Sequence, residues 1–154
     1  MKNIQNRKQL TDLWKQGGIT EGREYAILTN EIYKGWSGMT AQQYKSFKGL
    51  RKESLRDNMS DVEVALADLG EIATREIAKK KNPIGLDENI DVAKRGGKIA
   101  GNARKDLENE LGETVIISIN ALDYEYRNES NLIDSQFYLI TNVILCLTFV
   151  VFLV

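Results

Sequence analysis

Two helix-start signals of the same form, one at Thr40 and one at Ser60, constrain this chain more than any other feature of it. Met39-Thr40-Ala41-Gln42-Gln43-Tyr44 sets a hydroxyl at a candidate N-cap with Gln43 three residues on, and Met59-Ser60-Asp61-Val62-Glu63-Val64 repeats the pattern with Ser60 and Glu63. In such a capping box the hydroxyl accepts the N–H of the third helical residue. That residue's side chain returns to the N–H of the cap, and apolar residues on either side of the cap pack together. A helical segment is predicted between the two starts, ending near Asn58. Gly49 is predicted to kink or split it, since glycine is poor in a helix interior. Beyond Ser60, Val62, Leu66, Leu69, Ala73 and Ile77 recur at helical spacing, which predicts an amphipathic helix at the centre of the fold. It should stop before Asn82-Pro83, because the residue preceding a proline is pushed out of the helical region. Its acidic opening and its closing Arg75, Lys79, Lys80 and Lys81 suit the helix dipole.

The flanking stretches read as helices too. Residues 2–16 carry Ile4, Leu10, Leu13 and Trp14 and run into Gly17-Gly18, a suitable C-cap and turn. Thr20 is placed to cap a second helix over residues 21–33, with Tyr25, Leu28 and Ile32 as its apolar stripe. Gly35-Trp36-Ser37-Gly38 reads as a turn and Ile84 to Leu86 as a connector. Residues 87–111 read as a helix whose seam is nearly bare in the middle, at Ala93, Gly97 and Ala100. Gly96, Gly97 and Gly101 each cost about 1 kcal/mol relative to Ala in a helix interior. Two accounts stand side by side: close approach of another helix or a ligand backbone at Gly97 and Gly101, or a break at Gly96-Gly97. The spacing around Lys98 is not that of a phosphate-binding loop. Val115-Ile116-Ile117 is a packing segment or an edge strand.

The fold class expected is all-α, a small bundle of about five helices within residues 1–118. A polar linker over 119–136 and a hydrophobic C-terminal tail over 137–154 follow. The tail carries no charge, and as a helix it would span about 27 Å, just enough for a bilayer core. It reads as a membrane anchor, as a non-native end from a disrupted reading frame, or as a buried core segment.

Composition narrows the chemistry. The chain has no histidine and one cysteine, Cys146 in the apolar tail. The usual general base, the usual metal ligand and any disulfide framework are therefore missing. No enzyme, no cofactor, no metal site and no small-molecule substrate are expected. No secretory signal opens the sequence, so a cytoplasmic location is expected, with membrane association through the tail as the variant. Net charge is −1, but six cations face two anions between Lys34 and Asp57, and five face one between Lys94 and Asp106. In one continuous helix Lys45, Lys48, Lys52 and Arg56 would share a face, with Arg51, Tyr44 and Phe47 alongside. Lys94 and Lys98 would extend it. Such a strip could track phosphates or bind a partner. The plainer reading is a solvated face over a core of Tyr44, Phe47, Leu50 and Leu55.

Several longer runs carry a family signature. They are Gln9-Leu10-Thr11-Asp12-Leu13-Trp14-Lys15, Gly22-Arg23-Glu24-Tyr25-Ala26-Ile27-Leu28-Thr29, Phe47-Lys48-Gly49-Leu50, Leu55-Arg56-Asp57-Asn58-Met59, Leu69-Gly70-Glu71-Ile72-Ala73-Thr74 and Gly96-Gly97-Lys98-Ile99-Ala100-Gly101-Asn102-Ala103-Arg104. Through them the region from Lys8 to Ser118 resembles the C-terminal part of bacterial proteins of the DNA-damage-inducible protein D and BRO-type phage antirepressor group. Longer members of that group begin with a BRO-type domain credited with DNA binding. This sequence has no counterpart of it and leaves the resemblance after Ser118, which implies a truncated remnant of mobile-element origin. The resemblance implies a non-enzymatic regulator of the DNA-damage (SOS) response, or an antirepressor, working on a protein partner or a DNA–protein filament. An electrostatic nucleic-acid-binding domain and a tail-anchored membrane protein are the alternatives.

Overall fold

A computed structural model describes residues 2–118. The readings of the linker over 119–136 and the tail over 137–154 fall outside the described residues. Five α-helices follow one another: α1 (Lys2–Gln16), α2 (Gly22–Ser37), α3 (Ala41–Phe47), α4 (Asp61–Lys81) and α5 (Gly85–Leu111), with a short 3-10 turn (Arg56–Asn58) between α3 and α4. Among the described residues there is no strand, and no helix is long and apolar enough to cross a membrane.

Local chemistry sets most boundaries. Ser60 caps α4: its hydroxyl accepts from the Glu63 N–H at 3.3 Å, and its own N–H donates to the Glu63 carboxylate at 2.7 Å. Thr40 and Gln43 cap α3 in the same way, at 3.1 and 2.8 Å. α4 ends on Asn82, which takes the left-handed conformation (φ 48°) just before Pro83. At the start of α2 the cap is Glu21, one residue beyond Thr20, and the Glu24 carboxylate gathers the N–H groups of both.

Four expectations are corrected. The predicted turn at Gly35-Trp36-Ser37-Gly38 is the last turn of α2, which stops only at Gly38 (φ 79°). Gly35 serves packing there, since a Cβ on it would lie 2.5 Å from the Gly97 carbonyl carbon, and Trp36 is wholly buried. The segment from Thr40 to Asn58 is split at Gly49 as predicted, but the part beyond the split is not the expected helix. α3 stops at Phe47, Gly49 turns the chain at φ 69°, and residues 48–55 are irregular. The buried face of α4 is rotated from the expected stripe. It holds Glu63, Leu66, Ala67, Gly70, Glu71 and Thr74, while Val62 is exposed. Small residues are needed there because α5 passes close by. Finally, α5 begins at Gly85, inside the expected connector; it runs unbroken through Gly96-Gly97, so of the two accounts of its glycines close approach holds.

The glycine seam explains how the long helices nest. A Cβ on Gly97 would sit 2.6 Å from the Ile32 carbonyl oxygen, and one on Gly101 would sit 2.2 Å from that of Gly35. Moving up α5 moves up α2, so these two helices run parallel. A Cβ on Gly96 would strike Thr74, whereas Ala100 lies against Gly70, so α4 runs antiparallel to α5. Leu10, Trp14, Leu28, Ile32 and Trp36 belong to the hydrophobic core, with Ile32 and Trp36 set against Gly70 of α4. Val115-Ile116-Ile117 forms no strand. It folds back as a packing segment with Ile116 buried, and the Glu108 carboxylate accepts from the Val115 N–H at 3.1 Å.

Candidate functional site

The loss of one helix between Thr40 and Asn58 scatters the expected basic strip. Lys45 is half-buried on α3. Arg51 and Lys52 are exposed in the irregular loop, their backbone N–H groups donating to the Glu53 carboxylate at 2.7 and 2.9 Å. Arg56 belongs to the 3-10 turn. Lys94 and Lys98 stand exposed on α5. Helical spacing no longer decides which of these residues share a face.

Lys48 is the clearest correction. Its side chain is fully buried, with the ammonium 2.9 Å from Glu63 Oε2 and donating to the Ile117 carbonyl at 3.0 Å. It also lies 5.6 Å over the Tyr44 ring. The Glu63 carboxylate accepts in addition from the Tyr44 hydroxyl and from the Ile117 N–H at 3.4 Å. Burial, reinforced by the bond to Glu63, pushes the Tyr44 hydroxyl well above the usual tyrosine range, so it acts as a donor. A lysine enclosed this way cannot meet a phosphate, and Tyr44, wholly buried, cannot stack on a base. Buried charges persist only when paired and hydrogen-bonded, which is the arrangement here. Phe47 alone of the expected aromatics is exposed.

Arg56 enters a second ionic cluster. It pairs with Asp68, and its Nη1 lies 3.6 Å from Glu71 Oε1. Arg7 of α1 reaches the same oxygen at 2.8 Å and donates to the Thr29 hydroxyl at 2.7 Å. Two guanidinium groups thus converge on one carboxylate that is 3% exposed. Burial, with the Glu71 charge next in size, raises the Tyr33 hydroxyl above its ordinary range. A cleft of about 720 Å³ opens beside this cluster, between α1, α2 and the loop through Leu55. The sequence reading set Arg56 on a basic strip and Glu63 in a capping box alone, and it assigned no role to Arg7, Tyr33 or Glu71. The available signal was periodic: Glu63, Ala67 and Glu71 recur every fourth residue on the face that also carries Gly70 and Thr74.

No group of three or more potential metal-ligating side chains occurs among the described residues. No curated protein matches the chain, and no solved structure does. The family model of the DinD C-terminal domain matches residues 2–120. That match takes in all five helices, and the chain belongs to the DinD C-terminal domain family.

Proposed function

We propose that the domain is a non-enzymatic regulator in the DNA-damage response, or an antirepressor-like one, acting by contact with a protein partner or a DNA–protein filament. Family membership over residues 2–120 carries this reading. The disposition of charge supports it. Lys48 with Glu63, and Arg7 and Arg56 with Glu71, hold helices and loop together inside the fold. The work of recognition then falls to the surface. Photocrosslinking from exposed positions of the full chain in bacterial cells, with and without ultraviolet damage, tests it. A defined protein adduct that increases after damage is the expected result, and a pattern indifferent to damage would count against the reading.

A second reading is electrostatic nucleic-acid binding, favoured by the exposed Lys94, Lys98 and Lys105 on α5. With Lys48 internal, α5 is the better face for it. Every lysine–phosphate pairing that a Lys94→Glu/Lys98→Glu variant removes should flatten the salt dependence by about 0.7 on single strands and about 0.9 on duplex. Equal salt slopes for the variant and the parent protein would set this reading aside.

A further inference from the structure

Helix α4 is apolar on two sides. One side is buried; the other carries Val62, Leu69, Ala73 and Ile77, four of the five residues whose spacing marks its apolar stripe. Val62 is 39% exposed and the other three are half-buried. On α5, Ile99, Ala103 and Leu107 recur every fourth residue, with Ile99 45% and Leu107 36% exposed. Both rows open on one side of the α4–α5 layer. Gly97 and Gly101 of α5 face α2, and Gly96 and Ala100 face α4. Ile99 and Ala103 come next round the helix, turned away from α2. On α4, Gly70 and Thr74 face α5, whereas Glu71 and Arg75 reach α1 at Arg7, Asn6 and Gln9. The apolar row of α4 is on the side away from α1. A helix apolar on two sides calls for cover on both.

Charge names the cover. Residues 75–81 of α4 and 85–95 of α5 form one end of the face, with six cations and four anions. Residues 61–68 and 104–113 form the other, with two cations and eight anions. Of those eight, Glu63 and Asp68 are met by Lys48 and Arg56 from outside the two helices, and the acidic surplus remains. The face is therefore basic at one end, acidic at the other and apolar between. A two-fold axis lying in the face, across the helices at the Gly70–Ala100 crossing, lays a second copy over it in antiparallel order. Each acidic end then meets a basic end, and the apolar middle meets itself. Asp106 lies six residues past Ala100 and Arg95 five before it, so Asp106 falls level with Arg95 of the second copy. Both are exposed, and the bond of Arg95 to Asp91 at 3.1 Å is a surface pair worth little.

We propose that this face, centred on Leu69, Ala73 and Ile99, joins two copies of the chain as an antiparallel two-fold dimer that packs four helices together. It stands apart from the regulatory reading and does not depend on it. A nucleic acid does not suit the face, because its acidic end repels phosphate. At about 28 Å by about 20 Å, two such faces bury roughly 1,100 Å² in all, the low end for a specific contact, so dimers are expected at micromolar concentration.

The test is sedimentation velocity on the full chain between about 1 and 200 µM. A concentration-dependent passage from monomer to dimer is expected. Ile99→Glu should weaken it by about tenfold or more. Asp106→Arg and Arg95→Asp should each weaken it as well, since each sets like charges face to face. Mixed in equal amounts, these two variants should dimerise as the parent does, because each supplies the charge that the other lacks. The circular dichroism of all three should match the parent. Residues 119–154 are the same in every variant, so association through them would leave the variants alike. A monomer across the whole range, association undiminished in Ile99→Glu, or no recovery on mixing overturns the proposal.

Discussion

Glu63→Gln isolates the buried charge pair better than any other change. Glutamine is accepted at the third position of a capping box, and Gln43 fills that place on α3. The cap of α4 should therefore survive, while the Lys48 ammonium loses the carboxylate 2.9 Å away. Removing one partner of a buried pair costs about 3–5 kcal/mol. Lys48 keeps other contacts, among them the Ile117 carbonyl at 3.0 Å and the Tyr44 ring face, so the low end, about 3 kcal/mol, is expected. Against a total stability of about 5–15 kcal/mol the protein should still fold, with its melting temperature lowered by about 6–12 °C. Adding Lys48→Met removes the charge that has lost its carboxylate, and the double variant should regain about 1–3 kcal/mol relative to the sum of the single changes. Urea unfolding followed by the fluorescence of Trp14 and Trp36, both buried, measures all four corners of the cycle. A Glu63→Gln cost within about 0.5 kcal/mol of zero, or strict additivity in the double variant, would refute the reasoning.

Gly101→Ala should destabilise by about 1–3 kcal/mol, despite alanine's better helix propensity, because the new Cβ would lie 2.2 Å from the Gly35 carbonyl oxygen; calorimetry showing a gain would mean α2 and α5 can part at little cost. Ser60→Ala should cost about 0.5–2 kcal/mol in urea unfolding, since its hydroxyl caps the Glu63 N–H. Leu66→Ala should cost about 2–5 kcal/mol by the same measurement. The Glu24 carboxyl is held below its ordinary value of 4.5 by the N–H groups of Glu21 and then Thr20. Its contribution is therefore present at neutral pH and lost as pH falls below 4.5 through the lowered value; the urea midpoint of Glu24→Gln should vary less over that window than that of the parent.

What was legible in the sequence was what is decided within a few residues. The starts at Thr40 and Ser60 and the stop at Asn82-Pro83 depend on hydroxyls, N–H groups and a pyrrolidine ring close along the chain, and they stand where those residues put them. Gly35 was read as a turn and Gly97 was left open, and one physical reason covers both. A glycine marks a turn or a close approach, and only the other helix decides which. Here each is the partner the other requires, so neither could be resolved alone. The basic strip failed for a related reason. Its spacing argument needed one helix through Gly49, and once the chain turns there Lys48 is free to point inward. What draws it in is a glutamate fifteen residues on, already assigned to a capping box. Glu63 does both tasks at once, with one oxygen on the Ser60 N–H and Lys48, the other on Tyr44 and Ile117. The same holds for Glu71, a polar residue on a helix face that must be buried. An acid recurring in register with Ala67, Gly70 and Thr74 signals a cation brought from elsewhere in the chain, and on α4 that signal points to Lys48 once and to Arg7 and Arg56 together the second time.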